Sequence, residues 1–361
     1  MNAARTRGAR IGIDATYDRV TSEADVYDPA VLEKKPQPER YPTGSSMTHG
    51  GVYGQAEAEL VHGLRAHAGV RQALFHLDIP KRSVDEDSSS PAFTNTMVDV
   101  VFNAGVRWEF APGVAWIANA GRGVRSPNVQ DFAALGPRAG NRFQIPNPDV
   151  GPEHTLSIDT GLKTLIDRIS AEVAIFYLAY DDAIALAPAA RDGSPTTPDG
   201  EQYEWSENAS RVEYYGVEGE FDVPLARYAG ISGRLLAMIG TQYNEQRTGL
   251  PARTPADRAP PPQASVRVWA QPVPRLRIEA TANGRLAQDR LNDPTNVEDN
   301  RIPENGTPGY VTLHLRGAFR VSNKITARLA LDNLTDELVL EHGSGFYRPG
   351  FSATSSLDVS F

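Results

Sequence analysis

The sequence predicts an all-β fold, an antiparallel up-and-down transmembrane β-barrel of about 14 strands. Apolar and polar residues alternate along each predicted strand, which means that the two faces of the strand meet different surroundings. The connections alternate between short and long, so every long loop falls at one end of the strands. Transmembrane barrels have this asymmetry, whereas a soluble sandwich or propeller gives no reason for it.

The strands follow from this alternation in chain order, and no window predicts an amphipathic helix of useful length. The predicted strands are 8–20, 50–65, 69–78, 95–109, 113–123, 155–165, 169–181, 207–223, 230–245, 262–271, 274–287, 309–320, 324–333 and 351–361. The predicted short connections are 66–68, 111–112, 166–168, 224–229, 272–273 and 321–323. The predicted long loops are 21–49, 79–94, 124–154, 182–206, 246–261, 288–308 and 334–350.

The faces of the predicted strands favour a membrane over a dry core. Within 97–110, Val98, Val100 and Phe102 alternate with Asp99 and Asn103. Charged side chains cannot be buried in a dry interior without partners, but the hydrated lumen of a wide barrel accommodates them. The apolar face is therefore expected to meet lipid and the polar face to line the lumen.

The composition excludes several classes of function. The chain has 361 residues, a formal net charge of -9 and no basic block, which argues against nucleic-acid binding. It has 0 Cys, which excludes disulfides, thiolate metal sites and Cys nucleophiles. No run of about 18 apolar residues predicts a transmembrane helix, and residues 1–10 lack the apolar segment of a signal peptide.

No pattern of catalytic or metal-ligating residues is present, so the sequence predicts neither an enzyme nor a bound metal or cofactor. The 7 His are scattered and form no HxH, HxxxH or HxxEH pattern. The alternative to a protein without a metal site is a calcium site within residues 289–300, where oxygen ligands cluster.

Six motifs occur in order within residues 95–361. They are 121–132 (GRGVRSPNVQDF), 147–153 (NPDVGPE), 176–184 (FYLAYDDAI), Asn208 followed by 215–218 (YGVE), 333–337 (NLTDE) and the terminal Phe361. In this order they resemble the C-terminal barrel portion of TonB-dependent outer-membrane receptors. That resemblance implies a barrel of about 22 strands with a plug in its lumen. Residues 1–361 are therefore expected to form one domain, the C-terminal part of such a barrel, with no plug domain and no signal peptide. A gene fragment, a split gene and a naturally small barrel are all compatible with this expectation.

The resemblance implies a bacterial outer-membrane receptor for the active uptake of a scarce nutrient, such as a ferric siderophore, cobalamin or a saccharide. The expected partners are outer-membrane lipid, a small-molecule ligand such as a ferric chelate, the outer-membrane assembly machinery and, through the missing plug region, TonB–ExbB–ExbD. The expected assembly signal is Leu357, Val359 and Phe361. A passive porin-like barrel is the first alternative, and a soluble all-β binding domain is the second.

Two groups of site residues follow from the motifs and the loops. Structural roles are expected for Pro127, Asn128, Asn147, Pro148, Glu153, Gly216, Asn333 and Asp336. Proline is tolerated just beyond a strand end, and Asn or Asp side chains hold turns through bonds to the backbone. Ligand contacts are expected from Arg125, Arg138, Arg142, Phe143, Tyr203 and Trp205. Arginine suits an anionic chelate, and aromatic rings suit a flat organic ligand.

Overall fold

The chain folds almost entirely into β-strands. The computed structural model describes residues 7–28, 33–36, 39–82, 91–138, 141–244, 253–256, 259–291 and 301–361. The elements are β1 (Arg7–Arg19), β2 (Asp25–Asp28), β3 (Glu33–Pro36), β4 (Ser46–Val61), β5 (Leu64–Ile79), β6 (Phe93–Ala111), β7 (Val114–Arg125), α1 (Val129–Ala133), β8 (Gly136–Arg138), β9 (Arg142–Gln144), β10 (Glu153–Ile166), β11 (Ile169–Pro188), β12 (Gln202–Ala226), β13 (Ala229–Asn244), β14 (Arg253–Pro255), β15 (Gln263–Val273), β16 (Leu276–Arg285), β17 (Tyr310–Arg320), β18 (Ile325–Asp332) and β19 (Ser352–Val359). In the described part of the chain, no helix has the length and apolar character that crossing a bilayer requires.

Fourteen long strands form one antiparallel sheet in which each strand pairs with the next one in sequence. Their order is β1, β4, β5, β6, β7, β10, β11, β12, β13, β15, β16, β17, β18 and β19. Each of them overlaps one predicted strand, so the predicted antiparallel up-and-down architecture is confirmed. The short strands β8, β9 and β14 attach to this sheet from the long loops, and β2 and β3 form a separate hairpin.

The sheet has two free edges within the described residues. β1 pairs with β4, and β19 pairs with β18, but no pairing joins β1 to β19. Each edge strand therefore presents a row of backbone N–H and C=O groups that are available to another strand.

The short turns and the long loops lie at opposite ends of the sheet, as predicted. Glycine forms two of the turns, since Gly63 has φ 78° and Gly113 has φ 72°. The predicted turn at 66–68 was wrong. His67 lies within β5, opposite Glu57 of β4, because the chain reverses at Gly63, where a left-handed backbone is easily adopted.

The two faces of the sheet differ as the alternation predicts. On β6, Val98 is 58% exposed and Phe102 is 46% exposed on the outward face. On the other face of the same strand, Arg107 and Glu109 line a cavity of about 1210 Å³. His314 of β17 lines the same cavity, so the sheet curves strongly enough for β6 and β17 to face one space.

Candidate ligand-binding site

The loop between β7 and β10 folds back onto the long-loop end of the sheet. Val129 and Phe132 of α1 pack with Leu77 and Ile79 of β5 and with Val150 in one buried cluster. Burial of large apolar side chains favours this packing by roughly 1.5–3 kcal/mol for each. The loop thus has an apolar core of its own, which fixes the positions of the polar residues that it carries.

The start of this loop is held by a capping box on α1. The Asn128 side chain accepts hydrogen bonds from the backbone N–H groups of Gln130 (2.8 Å) and Asp131 (3.2 Å), and the Asp131 carboxylate accepts one from the Asn128 N–H (3.0 Å). Arg125 donates to Asp131 at 2.8 Å and lies 4.0 Å from Glu153. Arg125 therefore contacts the base of the loop.

The end of the loop is tied to β12. The Asn147 side chain donates to the Ser206 carbonyl oxygen at 2.8 Å, and Asn208 both accepts from the Gly151 N–H (2.6 Å) and donates to the Gly151 carbonyl oxygen (3.0 Å). Glu153 accepts a hydrogen bond from a backbone N–H of β11 at 3.0 Å. These motif residues join the loop to its neighbouring strands.

The remaining motif residues lie in tight backbone environments. Asn333 and Asp336 have positive φ angles of 52° and 49°, a conformation that Asn and Asp tolerate better than most residues. A Cβ on Gly216 would lie 2.8 Å from the Phe176 ring and closer still to backbone oxygen, so a larger side chain would force the strands apart. Pro127 is fully buried, whereas Pro148 is exposed in the turn.

Five of the six predicted ligand residues come together in one group, which we call the loop cluster. It consists of Arg138, Arg142, Phe143, Tyr203, Glu204 and Trp205. Arg138 and Arg142 form ion pairs with the two carboxylate oxygens of Glu204 at 2.8 Å and 3.4 Å. The Glu204 side chain is only 7% exposed, and the two arginine side chains are 28% and 23% exposed. Both guanidinium groups are therefore fixed, while part of each one reaches solvent.

The aromatic half of the loop cluster packs around a small core. The Phe143 and Tyr203 rings meet edge to face with centroids 5.9 Å apart, and Tyr203 is buried with Leu135 and Ile145. The Trp205 indole N–H donates to Glu207 at 2.9 Å. The parallel pairing of β9 with β12 sets this arrangement, since it places Phe143 opposite Tyr203.

The loop cluster carries more positive than negative charge. Besides Arg138 and Arg142, Arg40 reaches it and donates to Gln144 at 3.0 Å. Among the described residues, three guanidinium groups thus accompany two carboxylates, Glu204 and Glu207. Such an arrangement can hold an anion through charge-assisted hydrogen bonds. The predicted ligand contacts themselves stay a prediction.

Sequence reasoning missed three parts of this region. α1 is only five residues long, so it has no helical periodicity to detect, although Asn128 and Asp131 have the spacing of a capping box. Glu204 and Arg40 come to the cluster through long-range pairing, which no local pattern reveals. Within the described residues, no group of three or more His, Asp or Glu is arranged to hold a metal ion. Residues 292–300 of the alternative calcium segment lie outside the described residues.

Comparisons with known proteins agree on the architecture. A family model described as TonB dependent receptor-like, beta-barrel matches residues 3–334. No curated protein matches the sequence. The copper transporter OprC is 17% identical with a TM-score of 0.76, over 98% of this chain and 56% of its own. A double mutant of the hemophore receptor HasR of Serratia marcescens, in complex with HasA and heme, is 14% identical with a TM-score of 0.75, over 99% and 56%. A mutant of the ferric enterobactin receptor PfeA of Pseudomonas aeruginosa is 16% identical with a TM-score of 0.61, over 98% and 60%. At these identities the likeness shows the fold, and the chain spans less than two thirds of each of these structures.

Proposed function

Since this chain belongs to the TonB-dependent receptor-like β-barrel family, we propose that it forms the barrel portion of an outer-membrane receptor for the active uptake of a scarce nutrient. The family consists of receptors and transporters, and the proposal involves no catalytic step. The structurally similar proteins include a copper transporter, a hemophore receptor bound to heme and a ferric enterobactin receptor. A metal chelate is therefore the nutrient class that these likenesses favour over a saccharide.

The loop cluster is the observation that carries the proposal. Its two arginine side chains, Arg138 and Arg142, are pre-organised by a buried Glu204 and are partly exposed. Phe143 follows Arg142 in the chain and packs on Tyr203. Fixed donors lose little entropy when a ligand binds. Together they suit an anionic chelate that has aromatic or flat organic groups, such as a ferric siderophore.

Two kinds of partner protein are expected, the TonB–ExbB–ExbD system and the outer-membrane assembly machinery. Energised transport needs TonB–ExbB–ExbD acting through a plug region, which we expect outside residues 1–361. Membrane assembly would use β19 and the residues that follow it, since Leu357 and Val359 of β19 are exposed at a free strand edge and Phe361 is exposed two residues beyond the strand. An alternating apolar edge of this kind suits pairing with another strand.

Uptake by the complete natural polypeptide tests the proposal. It is expressed in a Gram-negative host that lacks its own ferric-chelate receptors, with and without TonB, and growth is scored on a panel of ferric chelates under iron limitation. Growth is expected on at least one chelate and only with TonB. The double variant Arg138→Gln/Arg142→Gln should reduce uptake at least tenfold. Arg168→Gln, at an exposed short turn, is the matched control and should have no effect.

The alternatives give different outcomes in the same preparation. A steady open conductance in planar bilayers, together with uptake that ignores TonB, would establish the passive porin-like barrel. Recovery of the protein in the aqueous phase without detergent would establish the soluble binding domain. Equal uptake by the double variant and the wild type would remove the loop cluster from the proposal and leave the transport function intact.

A further inference from the structure

The sheet divides between β6 and β7 near its long-loop end. β6 pairs with β5 from its first residue, Phe93, but with β7 only from Phe102. β7 continues to Arg125, and its last three residues pair with β10. Within the described residues, no pairing joins these three to β6. Residues 93–101 of β6 therefore keep β5 as a partner but lose β7.

Side chains satisfy the backbone of Val100, which lies on this divided part of β6. The Val100 N–H donates to the Asp99 carboxylate at 2.7 Å, and the Val100 carbonyl oxygen accepts from the Arg122 guanidinium of β7. In a continuous antiparallel sheet both groups would bond to the neighbouring strand. Unpaired backbone groups are costly where water is excluded, so the two side chains take the place of the missing ladder.

The Asp99 carboxylate also connects β6 to two other strands. One of its oxygens accepts from Arg122 of β7 at 2.5 Å, and the other lies 2.5 Å from Nε2 of His154 on β10. The Asp99 side chain is only 11% exposed. Charge-assisted hydrogen bonds to a shielded carboxylate are stronger than those of exposed pairs. We call Asp99, Arg122 and His154 the seam cluster.

The seam cluster contacts both ends of the loop between β7 and β10. Arg122 lies near the end of β7, and His154 is the second residue of β10. Through Asp99, the two ends of the loop are therefore tied to the same point of β6. The loop carries Arg138 and Arg142 of the loop cluster. The seam cluster thus contributes to the position of these two guanidinium groups relative to the sheet.

The His154 ring lies between two carboxylates. Its Nε2 faces Asp99, and its Nδ1 lies 3.8 Å from Asp182 of β11. A neutral imidazole carries one N–H, whereas an imidazolium carries two. The neutral ring can therefore donate to one of these carboxylates, and the charged ring can donate towards both. Protonation thus adds β11 to the strands that the seam cluster connects.

The balance of charge around His154 depends on its protonation. The two carboxylates and the one guanidinium leave one net negative charge around a neutral ring and none around a charged ring. Directly opposite His154, Val124 of β7 is uncharged and Asp181 of β11 pairs with Arg211 at 3.0 Å. The neighbouring Glu153 accepts from a backbone N–H of β11. Histidine changes its charge between about pH 5 and 8, which makes the connection to β11 the pH-dependent part of the seam cluster.

We propose that Asp99, Arg122 and His154 are positioning residues that clamp both ends of the loop between β7 and β10 to β6, and that protonation of His154 tightens this clamp. A continuous β6–β7 ladder would hold the loop equally at every pH, whereas side chains at the division make the hold adjustable. A loop that is held more firmly loses less entropy when a ligand binds. Mildly acidic conditions should therefore strengthen ligand capture, a consequence that rests on the proposed function, although the clamp itself does not.

Hydrogen–deuterium exchange tests the clamp on the complete natural polypeptide in detergent, without ligand. Rates are measured by mass spectrometry at about pH 6 and about pH 8, on either side of the usual titration of histidine, and are corrected for the intrinsic effect of pH on exchange. Peptides that cover the two ends of the loop should exchange about threefold more slowly at the lower pH. Asp99→Asn should speed their exchange by about threefold or more at both pH values, because a neutral amide cannot accept from Arg122 and His154 together.

His154→Gln separates the effect of the proton from that of the hydrogen bond, since the glutamine amide keeps one donor towards Asp99 and does not titrate. It should exchange like the wild type at about pH 8 and show no slowing at about pH 6. His76→Gln is the matched control, because His76 of β5 bonds to Thr96 of β6 at 2.8 Å where these two strands are continuously paired. It should keep the wild-type response to pH.

Wild-type exchange that is the same at both pH values, or a pH response that survives in His154→Gln, would overturn the proposal. Loss of the response in His76→Gln would overturn it as well, because the effect would then not be specific to the seam cluster. So would wild-type exchange in a folded Asp99→Asn variant. If that variant does not fold, the comparison of His154→Gln with His76→Gln decides. None of these measurements needs a ligand, so the clamp can fail while the transport proposal stands.

Discussion

Replacing Asn333 by alanine should destabilise the last long loop more than any substitution at an exposed turn. Asn333 is 5% exposed and closes the turn after β18 with a left-handed backbone, φ 52°. Its side-chain oxygen accepts from Thr335 at 3.0 Å and from the Glu337 N–H at 3.1 Å. Its amide donates to the carbonyl oxygens of Glu337 at 2.9 Å and Pro349 at 3.4 Å.

The magnitude follows from these contacts. Three well-formed hydrogen bonds contribute roughly 0.5–1.5 kcal/mol each, and alanine in a left-handed conformation costs about 1 kcal/mol more than asparagine. Asn333→Ala should therefore lower the free energy of unfolding by about 3–5 kcal/mol. Asn333→Gly loses the same bonds without the backbone cost and should lower it by about 1 kcal/mol less.

Urea unfolding of the complete natural polypeptide in detergent, followed by tryptophan fluorescence, measures both variants. The control is Asn323→Ala, at an exposed position in the β17–β18 turn, which should change the free energy by less than about 0.5 kcal/mol. If Asn333→Ala matched that control, the side-chain network would not stabilise the loop. If glycine and alanine gave equal losses, the positive φ would carry no cost and only the hydrogen bonds would matter.

Three further predictions follow from the motif residues and the loop cluster. Gly216→Ala should lower the free energy of unfolding, measured with urea, by about 1–3 kcal/mol, because the new Cβ would press on the backbone and on the Phe176 ring. Gly317→Ala is the control and should leave that free energy almost unchanged, because a Cβ at Gly317 would have no atom within 4 Å. Asn128→Ala removes the α1 cap and should lower the free energy of unfolding by about 1 kcal/mol, whereas Asn128→Ser should lower it much less, because serine also caps helices. Equal losses in the two variants would refute a capping role for Asn128. Glu204→Gln removes the charge that holds Arg138 and Arg142 in place, so the two guanidinium groups lose their pre-organisation. Affinity for an anionic ferric chelate should then fall about tenfold in a fluorescence titration, and an unchanged affinity would place the ligand elsewhere.

The sheet could be predicted from the sequence because its determinants are local. Along β6 the alternation of Val98 and Val100 with Asp99 fixes both the strand and its faces. The turn at Gly63 was misplaced by a few residues because the predicted strand 50–65 runs past Gly63, and only the backbone angle shows where the chain reverses. The residue pattern therefore predicts the presence of a strand more reliably than it predicts the position of a turn.

The loop cluster could be predicted only in outline. Arginine and aromatic residues in two long loops indicated a shared site, yet Arg125 lies apart from the other five because it pairs with Asp131. Nothing local in the sequence indicates that Glu204 would sit between Arg138 and Arg142. That geometry depends on a parallel pairing between β9 and β12, whose partners are about 60 residues apart.

The lumen wall explains why selectivity should lie in the loop cluster rather than in the cavity below it. Lys163, Glu172, Glu220 and Arg234 are consecutive partners across four neighbouring strands. Two like charges, Glu172 and Glu220, face each other, an arrangement that is unfavourable by itself. Each has a cation on its other side, with Lys163 at 2.8 Å and Arg234 at 3.3 Å. This row is therefore neutral over a few ångströms and attracts neither anions nor cations strongly. The cationic excess around Glu204 is the feature that can distinguish an anionic ligand, so discrimination should occur before the ligand enters the lumen.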